Sequence, residues 1–223
     1  MFAPDHAATA LLIKRRYPSV PIAPLLVSVQ AMELAWVALN YAGIERTTTA
    51  SAVRSVADIQ LASMPYSHSV ATAIGAAIAV WVSVEWGFGR RALGRGLAIG
   101  IVSHLVLDLV THAPDIVLWP GSRFPPLGAG LYSGAPAVAF VIELLYGVLC
   151  WWIYRGRRPL LWLLIVANVA NASFFFAGVP GPEQYVAGRP LLLVTLIFGQ
   201  IVTTLVLVGL LSSRPLWAKE LEG

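Results

Sequence analysis

Residues 103–115 read SHLVLDLVTHAPD, and they constrain the fold of this chain more than any other stretch. His104, Asp108 and His112 recur at four-residue intervals in an apolar run, and Asp115 follows three residues later. On a helix turning about 100° per residue, the four side chains fall within a stripe roughly 80° wide. Imidazoles and carboxylates are costly to place in hydrocarbon unless something pairs with them. The stripe must therefore face the inside of a bundle. A metal ion or a shared proton network is the partner best suited to two histidines and two carboxylates on one face.

The rest of the chain says that the surrounding medium is lipid. It has 223 residues, 58% of them hydrophobic and only 12% charged, with a mean hydropathy of +0.76. Soluble domains carry about 25% charged residues, and a chain this short cannot hide so much apolar surface from water. Six runs, at about 21–43, 66–87, 93–112, 134–154, 159–178 and 190–211, each approach the ~20 residues that a bilayer core requires. The expected architecture is an all-α, multi-pass transmembrane bundle forming one domain over 1–223. The metal-site region would cover 1–155, with two additional spans over 159–211. Residues 4–13, PDHAATALLI, are too few to cross ~30 Å. They read as a short buried half-helix, with Pro4 in its first turn and Asp5 near its positive end.

Orientation follows from the basic residues. Eleven of the fifteen, in clusters at Lys14–Arg16, Arg90–Arg95 and Arg155–Arg158 and at Arg214 and Lys219, fall on one side of this arrangement. Arg46, Arg54, Arg123 and Arg189 fall on the other. The richer side is expected to be cytoplasmic, which puts the C-terminus inside and loops 44–65, 113–133 and 179–189 outside. An inner-membrane location is expected. No cleavable signal pattern is apparent, because Asp5 and His6 stand where a basic region would begin one. The net charge of +4 is distributed as loop clusters, so nucleic acid is not an expected partner. Cys150 is the single cysteine, so no intramolecular disulfide can form.

Polar residues from separate segments reach similar depths. At 1.5 Å per residue, His6 lies roughly 12 Å from the cytoplasmic face, His104 roughly 16 Å, Glu33 roughly 18 Å and Asp108 roughly 22 Å. Glu143 lies roughly 14 Å below the outer surface. His68, in MPYSHSV, and His112 stand near the outer ends of their spans. Each has a structural alternative. His104 and Asp108 could share a hydrogen bond within the bundle, His68 could face headgroups beside a helix cap, and His6 could belong to a loose terminus. Pro114 ends the helix, so His112 and Asp115 could face water. Asp58, Glu45, Glu85, Glu183, Glu220 and Glu222 lie in or near loops and read as solvated. Asn168 and Asn171 read as bonding across helices. Trp81, Trp86, Trp119, Trp151, Trp152 and Trp217 read as interfacial anchors. No phosphate-cradling GxxxxGK[ST], GxSxG, HExxH or CxxC pattern occurs.

The order of an early histidine, an acidic residue in the next span, PYSHS and then SHLVLDLVTHAPDIVLWP resembles the membrane-bound metal-dependent hydrolase family, the group that includes LexA-regulated inner-membrane hydrolases. The resemblance covers roughly residues 1–155. It implicates His6, Glu33, His68, His104 and Asp108 as metal-site residues, and Glu143 matches an acidic residue in the span after the WP segment. Relatives typically carry Asp where this chain has Glu33.

The expected function is hydrolysis by a metal-activated water, with one or two divalent ions and zinc favoured by the histidines. Glu33 or Glu143 would serve as general base. His112 and Asp115 are further ligand candidates, with His68 forming an upper level. A site in the outer half of the membrane favours a lipid or amphiphilic ester or phosphoester, with phospholipid-like phosphodiesters foremost. Two other readings use the same cluster: a transporter or proton- or metal-conducting protein, and an assembly protein with an internal polar network. A lyase or isomerase reaction at the metal is also compatible with the sequence.

Overall fold

The computed structural model describes residues 1–212 apart from 51, 54 and 180. Arg54, Arg214, Lys219, Trp217, Glu220 and Glu222 lie outside the described residues, as does the side chain of Glu183.

A short helix occupies the middle of the bundle. Helix α1 (Ala3–Arg16) starts with Pro4 and Asp5 in its first turn and ends on Lys14, Arg15 and Arg16, so its charges complement the helix dipole at both ends. Alanines at 3, 7, 8 and 10 let other helices approach closely, and every residue from Ala3 to Leu11 is buried. Its neighbours are α2 (Ile22–Val29), α5 (Arg91–Thr111), α7 (Pro136–Tyr154), α8 (Arg158–Ala170) and α10 (Pro190–Leu211). Fourteen residues make a rod of about 21 Å, shorter than a bilayer core. The half-helix expected over 4–13 is thus present, extended into its basic cluster.

Four helical segments are long and apolar enough to cross a membrane: Val70–Gly87, Arg91–Thr111, Pro136–Tyr154 and Pro190–Leu211. The first comprises α4 (Val70–Val82) and a wider π turn, Ser83–Gly87. Large apolar side chains such as Val106 and Val110 on α5, Leu145 on α7 and Leu210 on α10 remain exposed. Trp86, Trp119 and Trp152 are exposed too, near the ends of their segments, while Trp36 is buried in the core.

The other two expected spans differ from the sequence reading. Residues 21–43 form α2 and α3 (Ala31–Tyr41), bent by 56° at Gln30, and pass as one span only if taken together. Residues 159–178 give α8, of 13 residues, and a single turn, α9 (Ala172–Phe175). Asn171 interrupts them, and its side chain donates to Ala167 O and accepts from Gln200 of α10. The polar group that was expected to bond across helices also shortens its own.

The region 44–65 is more ordered than a loop. Strands β1 (Arg46–Thr49) and β2 (Ile59–Ser63) pair antiparallel, with a 3₁₀ turn at Val56–Asp58 between them. Asp58 caps that turn, and its Oδ2 accepts from Ser55 N at 3.2 Å. The segment 113–133 folds back on α5. Its Gly130 N donates to His112 O at 2.6 Å, and Ala129 N donates to Leu109 O. Gly128 has φ +149°, and a Cβ there would collide with the carbonyls of Ala113 and His112. A short helix, α6 (Leu131–Gly134), leads into α7.

Candidate metal centre

The bend in the first long segment creates part of the site. At Gln30 the helical hydrogen-bond ladder between α2 and α3 stops, and the Val29 carbonyl is turned to a side-chain partner. His104 Nδ1 lies 2.8 Å from that oxygen. A carbonyl can only accept, so Nδ1 carries the ring proton and Nε2 presents its lone pair. Gly100 makes this approach possible: a Cβ at that position would collide with Ser28 of α2. Gln30 in turn donates to Ala3 O at 3.0 Å, tying the bend to the start of α1.

His68 is set by the turn before α4. Ser69 caps that helix, its hydroxyl accepting from Thr72 N. The strand-like bridge between Ser69 and Val117 pins the same turn, with Val117 N donating to His68 O at 3.3 Å. His112 is the C-terminal cap of α5, where the backbone leaves the helix with φ −67° and ψ 149°. His6 arrives from α1. These are all four histidines of the chain.

Asp108 is their common neighbour. Its Oδ1 lies 3.2 Å from His6 Nε2 and 3.8 Å from His112 Nε2. Its Oδ2 lies 3.0 Å from His104 Nε2 and 3.6 Å from His68 Nε2. The amino group of Met1 also donates to Oδ1, at 2.5 Å, and to Thr111 Oγ1. Glu33 Oε2 stands 3.4 Å from His68 Nε2 and 3.8 Å from His104 Nε2. The imidazoles of His6 and His104 stack at 4.0 Å, and those of His68 and His112 at 5.5 Å.

These residues form three overlapping groups that could hold a metal ion: His6–His104–Asp108, Glu33–His68–His104 and His68–Asp108–His112. The donor chemistry fits. Tetrahedral zinc with ligands at about 2.0–2.1 Å needs donors about 3.3 Å apart. The four separations linking His68, His104, Glu33 and Asp108 Oδ2 run from 3.0 to 3.8 Å. His68 Nε2, His104 Nε2 and Asp108 Oδ2 are buried with no hydrogen-bond partner among the described residues. Polar atoms deprived of water are costly to leave unpaired, and these three face one another.

Two sequence candidates sit at or beyond the edge. Asp115 reaches His112 Nδ1 at 3.3 Å but belongs to none of the three groups. Glu143 stands apart. Its Oε1 accepts from Tyr132 at 2.5 Å. Asp5, also fully buried, packs beside Glu143 and receives Asn168 Nδ2 at 3.4 Å. This second polar cluster joins α1, α7 and α8. It was not legible from Asp5, whose position in a first turn accounts for it without a partner.

A cavity of about 180 Å³ adjoins the histidines. His6, Glu33, His68, His112 and Asp115 are among its lining residues, while Asp108 and Glu143 are not. Trp36, Ile59, Phe174 and Ile201 supply apolar wall, and no Lys or Arg is among its described lining residues. Comparison with protein-family models, with curated proteins and with solved structures finds no match for this chain.

Proposed function

We propose that this chain is a membrane-embedded, metal-dependent hydrolase that cleaves an ester or phosphoester of a lipid or other amphiphile. One observation carries the reading: four histidines converge on one buried aspartate beside a cavity lined by both ionisable and apolar side chains. The resemblance of residues 1–155 to membrane-bound metal-dependent hydrolases points the same way.

His104, His68 and Asp108, with His6 or Glu33, would hold the inner ion; zinc suits this set best. Asp108 offers both oxygens, so a second ion at the level of His112 would share it. A divalent ion here would polarise the scissile group and bring the pKa of water near 7. Glu33 is the general base of this proposal rather than Glu143. It lines the cavity and is 21% exposed at its side chain, whereas Glu143 is buried against Tyr132. The apolar walls accommodate the substrate's hydrocarbon.

The function is tested by metal removal. The purified protein is expected to carry one or two equivalents of divalent ion and to hydrolyse amphiphilic esters or phosphodiesters in mixed micelles. Chelation should abolish that activity and zinc should restore it. Protein that holds no ion when purified and binds none on addition would sink the proposal. A transporter built on the same cluster would instead carry metal or protons across liposomes.

We also propose six crossings of the inner membrane, counting the bent α2–α3 pair and α8–α9 as one each, with the C-terminus cytoplasmic. The warrant is the distribution of basic residues. In a Cys150→Ser background, Arg90→Cys should label from the cytoplasm and Ser122→Cys from outside with a membrane-impermeant thiol reagent. The reverse labelling would invert the topology.

A further inference from the structure

We infer that Glu45, acting through Ser67, fixes His68 in the tautomer that binds metal. Glu45 reads from sequence as a solvated loop residue, yet it is 1% exposed. Its Oε1 accepts from Tyr66 N at 2.8 Å and Ser67 N at 2.9 Å. Its Oε2 accepts from Ser67 Oγ at 2.5 Å. Ser67 Oγ then lies 2.9 Å from His68 Nδ1, and Ser67 and His68 are both buried.

The direction of the chain of hydrogen bonds follows from counting protons. A carboxylate can only accept. The single hydroxyl proton of Ser67 is therefore committed to Glu45, and toward His68 the oxygen can act only as acceptor. His68 Nδ1 must be the protonated nitrogen. Its Nε2 then presents a lone pair to Glu33, at 3.4 Å, and to Asp108, at 3.6 Å. For His104 the Val29 carbonyl does the same work. Outer partners of this kind orient metal-binding imidazoles and raise their basicity, and losing one typically costs about 10–100-fold in metal affinity. Glu45 is a positioning residue. It also clasps the two ends of the β1–β2 hairpin, so the hairpin and the ligand share one anchor.

The inference rests on the metal-site reading, and Glu45→Gln separates the two. Glutamine keeps a carbonyl for the Tyr66 and Ser67 amides, so the clasp persists. Its amide now donates to Ser67 Oγ. The serine proton turns to His68 Nδ1, and the ring proton moves to Nε2, where it blocks ligation. Cobalt(II) is the probe, with affinity read by titration and bound imidazoles counted by X-ray absorption. Glu45→Gln should bind cobalt about 10–100-fold more weakly than wild type, with one imidazole fewer. Adding Ser67→Ala to Glu45→Gln removes the misdirected hydroxyl and should recover several-fold of that loss. Ser67→Ala alone should lose less than Glu45→Gln. A purely structural clasp predicts that the double variant is worse than either single one, and that result overturns the inference. So does an unchanged affinity and imidazole count in Glu45→Gln, or an unchanged affinity in Ser67→Ala if Glu45→Gln does not fold. Wild-type protein that binds no cobalt overturns the metal site together with the relay.

Discussion

Asp108→Ala should strip the protein of metal, with a larger loss than any single histidine substitution. Among the described residues, Asp108 is the one side chain that approaches all four histidines, and its two oxygens serve different pairs of them. Among the described residues, removing it leaves the imidazoles with Glu33, beside His68 and His104, and Asp115, beside His112, as the carboxylates near them. We expect less than a tenth of the wild-type metal content by mass spectrometry in Asp108→Ala, and a clear but smaller deficit in His104→Ala. His112→Ala should lose less, because His112 sits one turn higher, 3.8 Å from Asp108, and takes part in only one of the three candidate groups. Equal metal loss in His112→Ala, with His104→Ala retaining wild-type content, would move the primary site to the outer level.

Glu33→Gln should reduce turnover by about 10²–10⁴-fold, the usual worth of a general base, while keeping most of the metal. Glu33 lines the cavity, and it stands 3.8 Å from His104 Nε2 where Asp108 stands 3.0 Å from the same nitrogen. An amide oxygen can still lie beside an ion but cannot take a proton from water. The measurement is a paired one, of metal content and hydrolysis rate on the same preparation. A variant that loses metal as fully as Asp108→Ala would make Glu33 a structural ligand. One that keeps both metal and rate would remove it from the chemistry.

The sequence revealed what periodicity encodes. The stripe was visible because His104, Asp108 and His112 recur at four-residue spacing, although α5 ends at Thr111 and Asp115 lies beyond it, and the shortness of α1 was visible because a basic cluster ends it. Depth counting along separate spans also brought His6, Glu33, His104 and Asp108 together before any contact was known. What it missed depends on chain reversals. Glu45 and Ser67 are 22 residues apart, and only the closing of a hairpin between them buries both. The bend at Gln30 has no proline or glycine at the break to announce it. The same depth arithmetic left open which way Glu143 turns within the bundle, and the structure pairs it with Tyr132. Polar residues at one depth need not share one site.

The central position of α1 has a consequence for how the protein is made. It precedes in the chain the helices that enclose it, but it is too short to span and it carries Asp5 and His6. An aspartate in mid-bilayer costs about 2.5–3.5 kcal/mol on insertion scales, so α1 has no stable place in lipid alone. Its lodging is built from α5, α7, α8 and α10, all synthesised later. The full enclosure of α1, and of His6 with it, therefore needs helices that follow it in the chain. Under the proposed function, metal capture through His6 would depend on complete assembly: a chain stalled before α10 would lack one wall of the chamber that holds α1.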